Sequence, residues 1–305
     1  MVLLPLVPMV LWGSLFPMIK LGYKAFEIDS KSIPDIIMFA AVRFVVCGVI
    51  ICAIALIRRG EVASPKWKSV LLILLSGLFA IVLHYAFTYI GLSGGDSSKT
   101  ALLKQRGALF YICFSFLFFK SEKFSIFKIL GAAVGFFGIF AINFDGGAIV
   151  FSTGDILIIL ASVCSVVSSC INKACVKGSS PFWITGISQL SGGIVLLIAA
   201  LIMGAGFPKF NLYSSAIFIY ICTASIIAYV TFSHLQKTLA NSHLFIVKFA
   251  EPLFACVFGA IWLGENILKP QYLLAFLLIS GGITLGNFGA VRRKNKIKST
   301  TEKKI

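Results

Sequence analysis

Five cations and one acid stand inside stretches of this chain that are otherwise apolar: Lys20, Arg43, Lys104, Arg106, Lys248 and Glu251. The segment Val247-Lys-Phe-Ala-Glu-Pro-Leu-Phe-Ala255 concentrates three disruptive residues, a lysine, a glutamate and a proline, within one apolar run. Guanidinium and ammonium groups recognise carboxylates and phosphates through charge-assisted hydrogen bonds. A carboxyl group in the same place can exchange a proton. Each charge costs about 2.5 to 3.5 kcal/mol at the centre of a membrane helix. The deep ones are therefore expected to face a polar cavity.

Depth follows from a rise of 1.5 Å per residue. Arg43 falls about 15 Å into its apolar run, near the middle of a hydrocarbon core about 30 Å thick. Glu251 falls at roughly 13 to 14 Å and can share that level. Lys104 and Lys248 each lie about 9 Å in. Other roles are open for the same residues. Lys20 can snorkel to the interface, and Lys104 and Arg106 can do so from an outer third. Arg43 can hold helices together through a carbonyl or through Glu251. Lys248 and Glu251, three apart on one helix face, can neutralise each other. Pro252 cannot donate to the Lys248 carbonyl, which gives that helix a weak point. Irregular backbone at membrane depth survives where it is buried in protein or lines water.

The elements that position these groups follow from composition. The 305 residues are 59% hydrophobic and 12% charged, with mean hydropathy +0.99, against roughly 25% charged in soluble domains. Apolar runs long enough to span a bilayer recur throughout. Ten helices are expected: Val2 to Tyr23, Ile33 to Ile57, Trp67 to Leu92, Ser98 to Phe119, Phe124 to Ile142, Asp155 to Val176, Pro181 to Met203, Leu212 to Leu235, Ser242 to Leu263 and Gln271 to Ala290. Alternating segments of about ten residues, the mark of a membrane β-barrel, are absent. The first run, with Pro5, Pro8 and Pro17 and no preceding cation, reads as a retained span rather than a signal peptide.

Loop charge sets the orientation. With the N-terminus cytoplasmic, seventeen lysines and arginines fall on inside segments, including the tail from Arg292 to Lys304. Five fall outside: Lys24, Lys31, Lys99, Lys209 and Lys269. Both termini are then cytoplasmic. The net charge of +16 is spread over loops and forms no basic domain, so nucleic acid is not an expected partner. The tail, 291–305, can orient the chain or attract anionic lipid.

Sliding the sequence by 144 positions aligns Tyr85 with Tyr229, Lys104 with Lys248, Leu109 with Leu253, Phe110 with Phe254 and Gly138 with Gly282. Two halves result, 1–145 and 146–290. Five helices per half reverse the second relative to the first, an inverted repeat about an axis in the membrane plane. The expected fold is an all-α membrane protein of two inverted five-helix units.

Several motifs resemble the EamA-type drug/metabolite transporters across nearly the whole chain. They are Trp12-Gly-Ser-Leu-Phe-Pro17, Arg43-Phe44, Glu251-Pro252 with Leu263-Gly-Glu265, and an acidic turn followed by glycine in the fifth and tenth spans. One departure is Ala108, where the family usually has the proline matching Pro252; it puts a break in the fourth span in doubt. The resemblance implies export or exchange of amino acids or related metabolites.

Polar stripes add candidates. Ser162, Ser165, Ser169 and Asn172 share one face of the sixth span. Tyr85 with Tyr89, and Tyr229 with Ser233, are each four apart. Such faces bond across helix interfaces or line a solute path. Trp12 can stack on a solute ring or fill core space. Gly131-x-x-x-Gly135 and Gly282-x-x-x-Gly286 predict close packing of the fifth and tenth spans, and a seam of this kind can also serve a homodimer. Cysteines without CxxC spacing read as packing residues. His84, His234 and His243 lack metal-ligand spacing and read as ordinary helix residues or interface anchors.

The candidate substrate-binding set is thus Trp12, Arg43, Tyr85, Lys104, Arg106, Asn172, Tyr229, Lys248 and Glu251, with Arg43, Lys104, Arg106 and Lys248 outweighing Glu251 in charge. No Walker A loop or H-E-x-x-H is present, so direct ATP drive and a zinc enzyme of that motif are not expected, nor is a cofactor. The expected function is a secondary carrier of a small polar metabolite, an amino acid or organic anion, working by alternating access in the cell (inner) membrane. The alternatives are an ion channel or a non-transport intramembrane protein.

Overall fold

A computed structural model of the chain describes residues 3–29, 31–58, 63–93, 111–112, 124–143, 153–266, 270 and 272–286. Its helices are α1 (Leu6–Ala25), α2 (Ile33–Ile57), α3 (Trp67–Gly77), α4 (His84–Ser93), α5 (Ile126–Asn143), α6 (Thr153–Cys175), α7 (Pro181–Ile202), α8 (Leu212–Thr238), α9 (Asn241–Lys248), α10 (Glu251–Leu263) and α11 (Tyr272–Gly286). Among the described residues there is no strand. Seven helical stretches among those residues are long and apolar enough to cross a membrane, and two shorter apolar ones accompany them. The expected fourth span lies outside the described residues except for Tyr111 and Ile112.

Helix ends follow local chemistry. The Asn211 side chain accepts from Ser214 N at 2.8 Å, and the Ser214 hydroxyl accepts from Asn211 N at 2.9 Å, a reciprocal cap that starts α8. Gly264, at φ +67°, ends α10. Its left-handed turn brings Glu265 N to Gly259 O at 3.2 Å.

Two elements differ from the expectation, and a third breaks at the weak point expected from Pro252. α1 begins at Leu6, because residues 3–5 form a turn. The third span is not one regular helix: a π-helical turn, Leu78–Leu83, joins α3 to α4. The ninth span is broken, with α9 ending at Lys248 and α10 starting at Glu251. The proline explains the break, since Pro252, in the first turn of α10, has no N–H for the Lys248 carbonyl.

Glycines set how closely these helices approach. A Cβ on Gly48 would lie 2.4 Å from Leu190 N, and one on Gly193 would lie 2.7 Å from Val45 N, so α2 and α7 touch backbone to backbone. These two contacts are the same contact with both partners shifted by 145 positions. The α5 and α11 seam behaves alike. Cβ atoms on Gly131 and Gly282 would each lie 2.5 Å from the other's carbonyl oxygen. The seam predicted from the glycine spacing is therefore closed within one chain, and these faces are not free for a second copy.

Candidate functional site

Arg43 on α2 is fully buried. Its guanidinium carbon sits 4.6 Å from the Phe44 ring centre and 5.3 Å from that of Tyr85, and it also reaches the Tyr85 hydroxyl. Cation–π contact is worth about 2 kcal/mol or more when desolvated, which offsets part of the cost of burying the charge. Tyr85 Oη in turn meets Tyr229 Oη at 2.5 Å. α8 brings Tyr229 edge-on to Trp12, ring centres 5.3 Å apart. Lys248 Nζ lies 5.1 Å from the Trp12 ring centre. One chain of contacts thus links α2, α4, α8, α1 and α9.

The break between α9 and α10 explains how Lys248 and Glu251 are carried at depth. Lys248 occupies the last turn of α9 and Glu251 the first turn of α10. A helix C-terminus favours a cation and an N-terminus an anion, by up to about 2 kcal/mol where partly buried. The pair does not neutralise itself: among the described residues, Lys248 and Glu251 form no ion pair within 4.0 Å. Glu251 is 2% exposed and its Oε2 takes no hydrogen bond. Gly13 makes room for this turn. A Cβ there would lie 2.8 Å from Glu251 O and 2.6 Å from Phe254 Cβ.

Trp12, Arg43, Tyr85, Asn172, Tyr229, Lys248 and Glu251 all line one cavity, which holds about 930 Å³ of space between atoms, open solvent included. Lys104 and Arg106 lie outside the described residues, and so does the side chain of Tyr89. The walls differ in character. Leu15, Phe16 and Ile19 of α1 give an apolar wall, whereas α6 and α7 contribute Ser165, Ser168, Ser169, Asn172, Thr185 and Ser188. Ser162 lies on the expected stripe but off the cavity, its hydroxyl donating to Ile159 O at 2.7 Å.

Sequence reasoning left out part of the lining. His84 also lines the cavity, and its Nδ1 lies 2.6 Å from Ala161 O, which ties α4 to α6. Thr185 and Ser188, three apart on α7, carried the same spacing signal as the α6 stripe. Lys20 does more than snorkel, since its Nζ lies 3.9 Å from Glu265 Oε1.

At the end where α6 finishes, polar side chains tie the helices together. Lys173 Nζ donates to Gln236 O, and to Leu239 O at 2.6 Å. Gln236 Nε2 and Asn241 Nδ2 both donate to Ser169 O, at 3.2 and 3.0 Å. These bonds tie α6 to the joint between α8 and α9. Among the described residues, no cluster of three or more histidine, cysteine or acidic side chains is placed to hold a metal.

The EamA-like transporter family model matches this chain twice, over residues 1–144 and 152–286. The chain belongs to the EamA-like transporter family. It is similar to the uncharacterized inner membrane transporter YedA of Escherichia coli (strain K12), 25% identical over 92% of this chain and 89% of that one. It is also similar to the uncharacterized transporter YoaV of Bacillus subtilis (strain 168), 24% identical over 93% and 96%. A crystal structure superposes with a TM-score of 0.74 at 17% identity, covering 95% of this chain and 97% of the other, which speaks to the fold. This EamA-like chain is a multi-pass membrane transporter. Its charged cavity lies between the segments matched by the two copies of the family model.

Proposed function

We propose that this protein is a secondary carrier that moves a small polar metabolite, an amino acid or organic anion, by alternating access at the cavity between two inverted five-helix halves. In this reading the chain has ten spans, with the halves at 1–145 and 146–290 and both termini cytoplasmic. The cell's inner membrane is its location, as the name of the Escherichia coli relative suggests. The observation that carries the reading is a buried Arg43 and a buried Glu251 on one cavity, the acid with an open oxygen. Burying such charges costs several kcal/mol each, which a solute carrying both signs or a bound proton would help to offset.

Arg43 and Lys248 hold the solute's anionic group, and Lys104 and Arg106 are assigned to the same task from the fourth span. Trp12, Tyr85, Tyr229 and Asn172 shape the space around it. Glu251 takes a donor group of the solute or a coupling proton. Reciprocal glycine contacts, repeated at a shift of 145 positions, support the inverted halves. Rocking of such halves about a fixed midplane site gives alternating access.

Proteoliposomes test this directly. Saturable counterflow of labelled amino acids or organic anions, weakened in Arg43→Ala, is the expected result. Unsaturated single-channel current would replace the carrier with a channel. Light scattering of the purified protein reads whether a second copy docks.

A further inference from the structure

One face of α6 presents hydrogen-bonding groups that the described residues leave open. The Ser165 and Ser169 hydroxyls take no partner among the described residues, and neither does Asn172 Nδ2, although Asn172 Oδ1 accepts from Ser76 at 2.8 Å. Positions 165, 169 and 172 span about 10 Å along the helix, and all three line the cavity. A polar stripe alone says little. Here it runs beside two buried groups on the same cavity that also lack partners, Glu251 Oε2 and Trp12 Nε1. Polar atoms left open in a protein interior are matched by a ligand or by water.

We propose that the solute is a polyhydroxylated carboxylate of the sugar-acid class. This rests on the carrier reading given above. The carboxylate sits with Arg43, Lys248 and the Trp12 indole N–H. The hydroxyl beside it donates to Glu251 Oε2, and the remaining hydroxyls bond along Ser165, Ser169 and Asn172. The open groups are mostly donors, which suits a chain of oxygen atoms. An apolar tail would leave them unpaired, a loss that buried polar sites punish.

The test compares gluconate with 2-hydroxyhexanoate, which keeps the acid and its neighbouring hydroxyl but lacks the others. Each is used to displace labelled gluconate from the purified full-length protein and to drive counterflow in proteoliposomes. Wild type is expected to bind gluconate about tenfold or more tighter. In Ser165→Ala/Ser169→Ala, whose hydroxyls take no partner among the described residues, the ratio of the two affinities is expected to fall by about tenfold. Ser169→Ala alone gives a smaller fall and serves if the double variant unfolds on heating. Equal binding of the two acids, or a ratio unchanged in the variants, overturns the proposal. If gluconate fails while amino acids or other anions exchange in an Arg43-dependent way, the sugar-acid class falls and the carrier reading stands. If no carboxylate or amino acid exchanges at all, both fall.

Discussion

The hydroxyls of Tyr85 and Tyr229, 144 residues apart in sequence, meet at 2.5 Å across the cavity. The same shift of 144 positions carries one onto the other in the sequence, and the contact joins α4 to α8. The partners beyond it differ. Tyr85 reaches Arg43, whereas Tyr229 packs against Trp12.

Tyr229→Phe removes one hydrogen bond and is expected to cost about 0.5 to 1.5 kcal/mol of stability. Tyr85→Phe removes that bond and a partner of a buried guanidinium. It should lower the unfolding temperature in detergent further and also weaken solute binding. Equal effects of the two variants in a thermal-unfolding assay would show that the Arg43 contact carries no weight.

Arg43→Ala and Lys248→Ala each remove a positive group from the cavity. Hydrogen bonds to charged groups are worth about 1.5 to 3 kcal/mol, so solute affinity should fall roughly 10- to 100-fold. Counterflow at graded solute concentrations reads this as a raised half-saturation. Normal exchange by both variants would sink the cationic-site idea.

Glu251→Gln keeps shape and removes the titrating proton. Exchange should persist while its dependence on pH disappears. A pH profile that matches wild type would remove Glu251 from proton coupling.

Pro252→Ala gives the chain an N–H that can bond the Lys248 carbonyl and join α9 to α10. Stability should rise, but by less than the roughly 3 kcal/mol that proline costs in a helix interior, because Pro252 already sits in the first turn of α10. Transport should slow, since the opposed helix ends at Lys248 and Glu251 would be lost. Unfolding temperature and turnover measured on the same preparation check both signs.

Gly48→Val and Gly131→Val insert side chains where backbones touch. Overpacking costs about 1 to 3 kcal/mol, so both should unfold at lower temperature. Gly178→Ala, where a Cβ meets nothing within 4 Å, is the control and should leave the unfolding temperature unchanged.

Much of this was legible because oil makes charges conspicuous. Apolar runs located nearly every described helix, and Arg43, Lys248 and Glu251 stood out as groups that lipid would reject. Pro252 announced the break in the ninth span. The π-helical turn at Leu78–Leu83 carried no such mark, since Leu-Phe-Ala-Ile-Val-Leu is also good α-helical sequence. His84 looked ordinary because its role depends on Ala161, a neighbour that only tertiary packing supplies. Thr185 and Ser188 were overlooked because short hydroxyl residues are common at helix interfaces, and spacing alone does not say which ones face a cavity.

The polar and apolar sides of the site are held by different physics. Where α6 finishes, Lys173, Gln236 and Asn241 join the helices with hydrogen bonds, and water can replace each of these as it breaks. Along α1, Leu15, Phe16 and Ile19 line the cavity, and wetting them further raises the heat capacity by about 0.45 cal/K/mol for each Å² of apolar surface. Parting the helices on the polar side thus lowers the heat capacity and parting them on the apolar side raises it, so the balance between the two openings drifts with temperature.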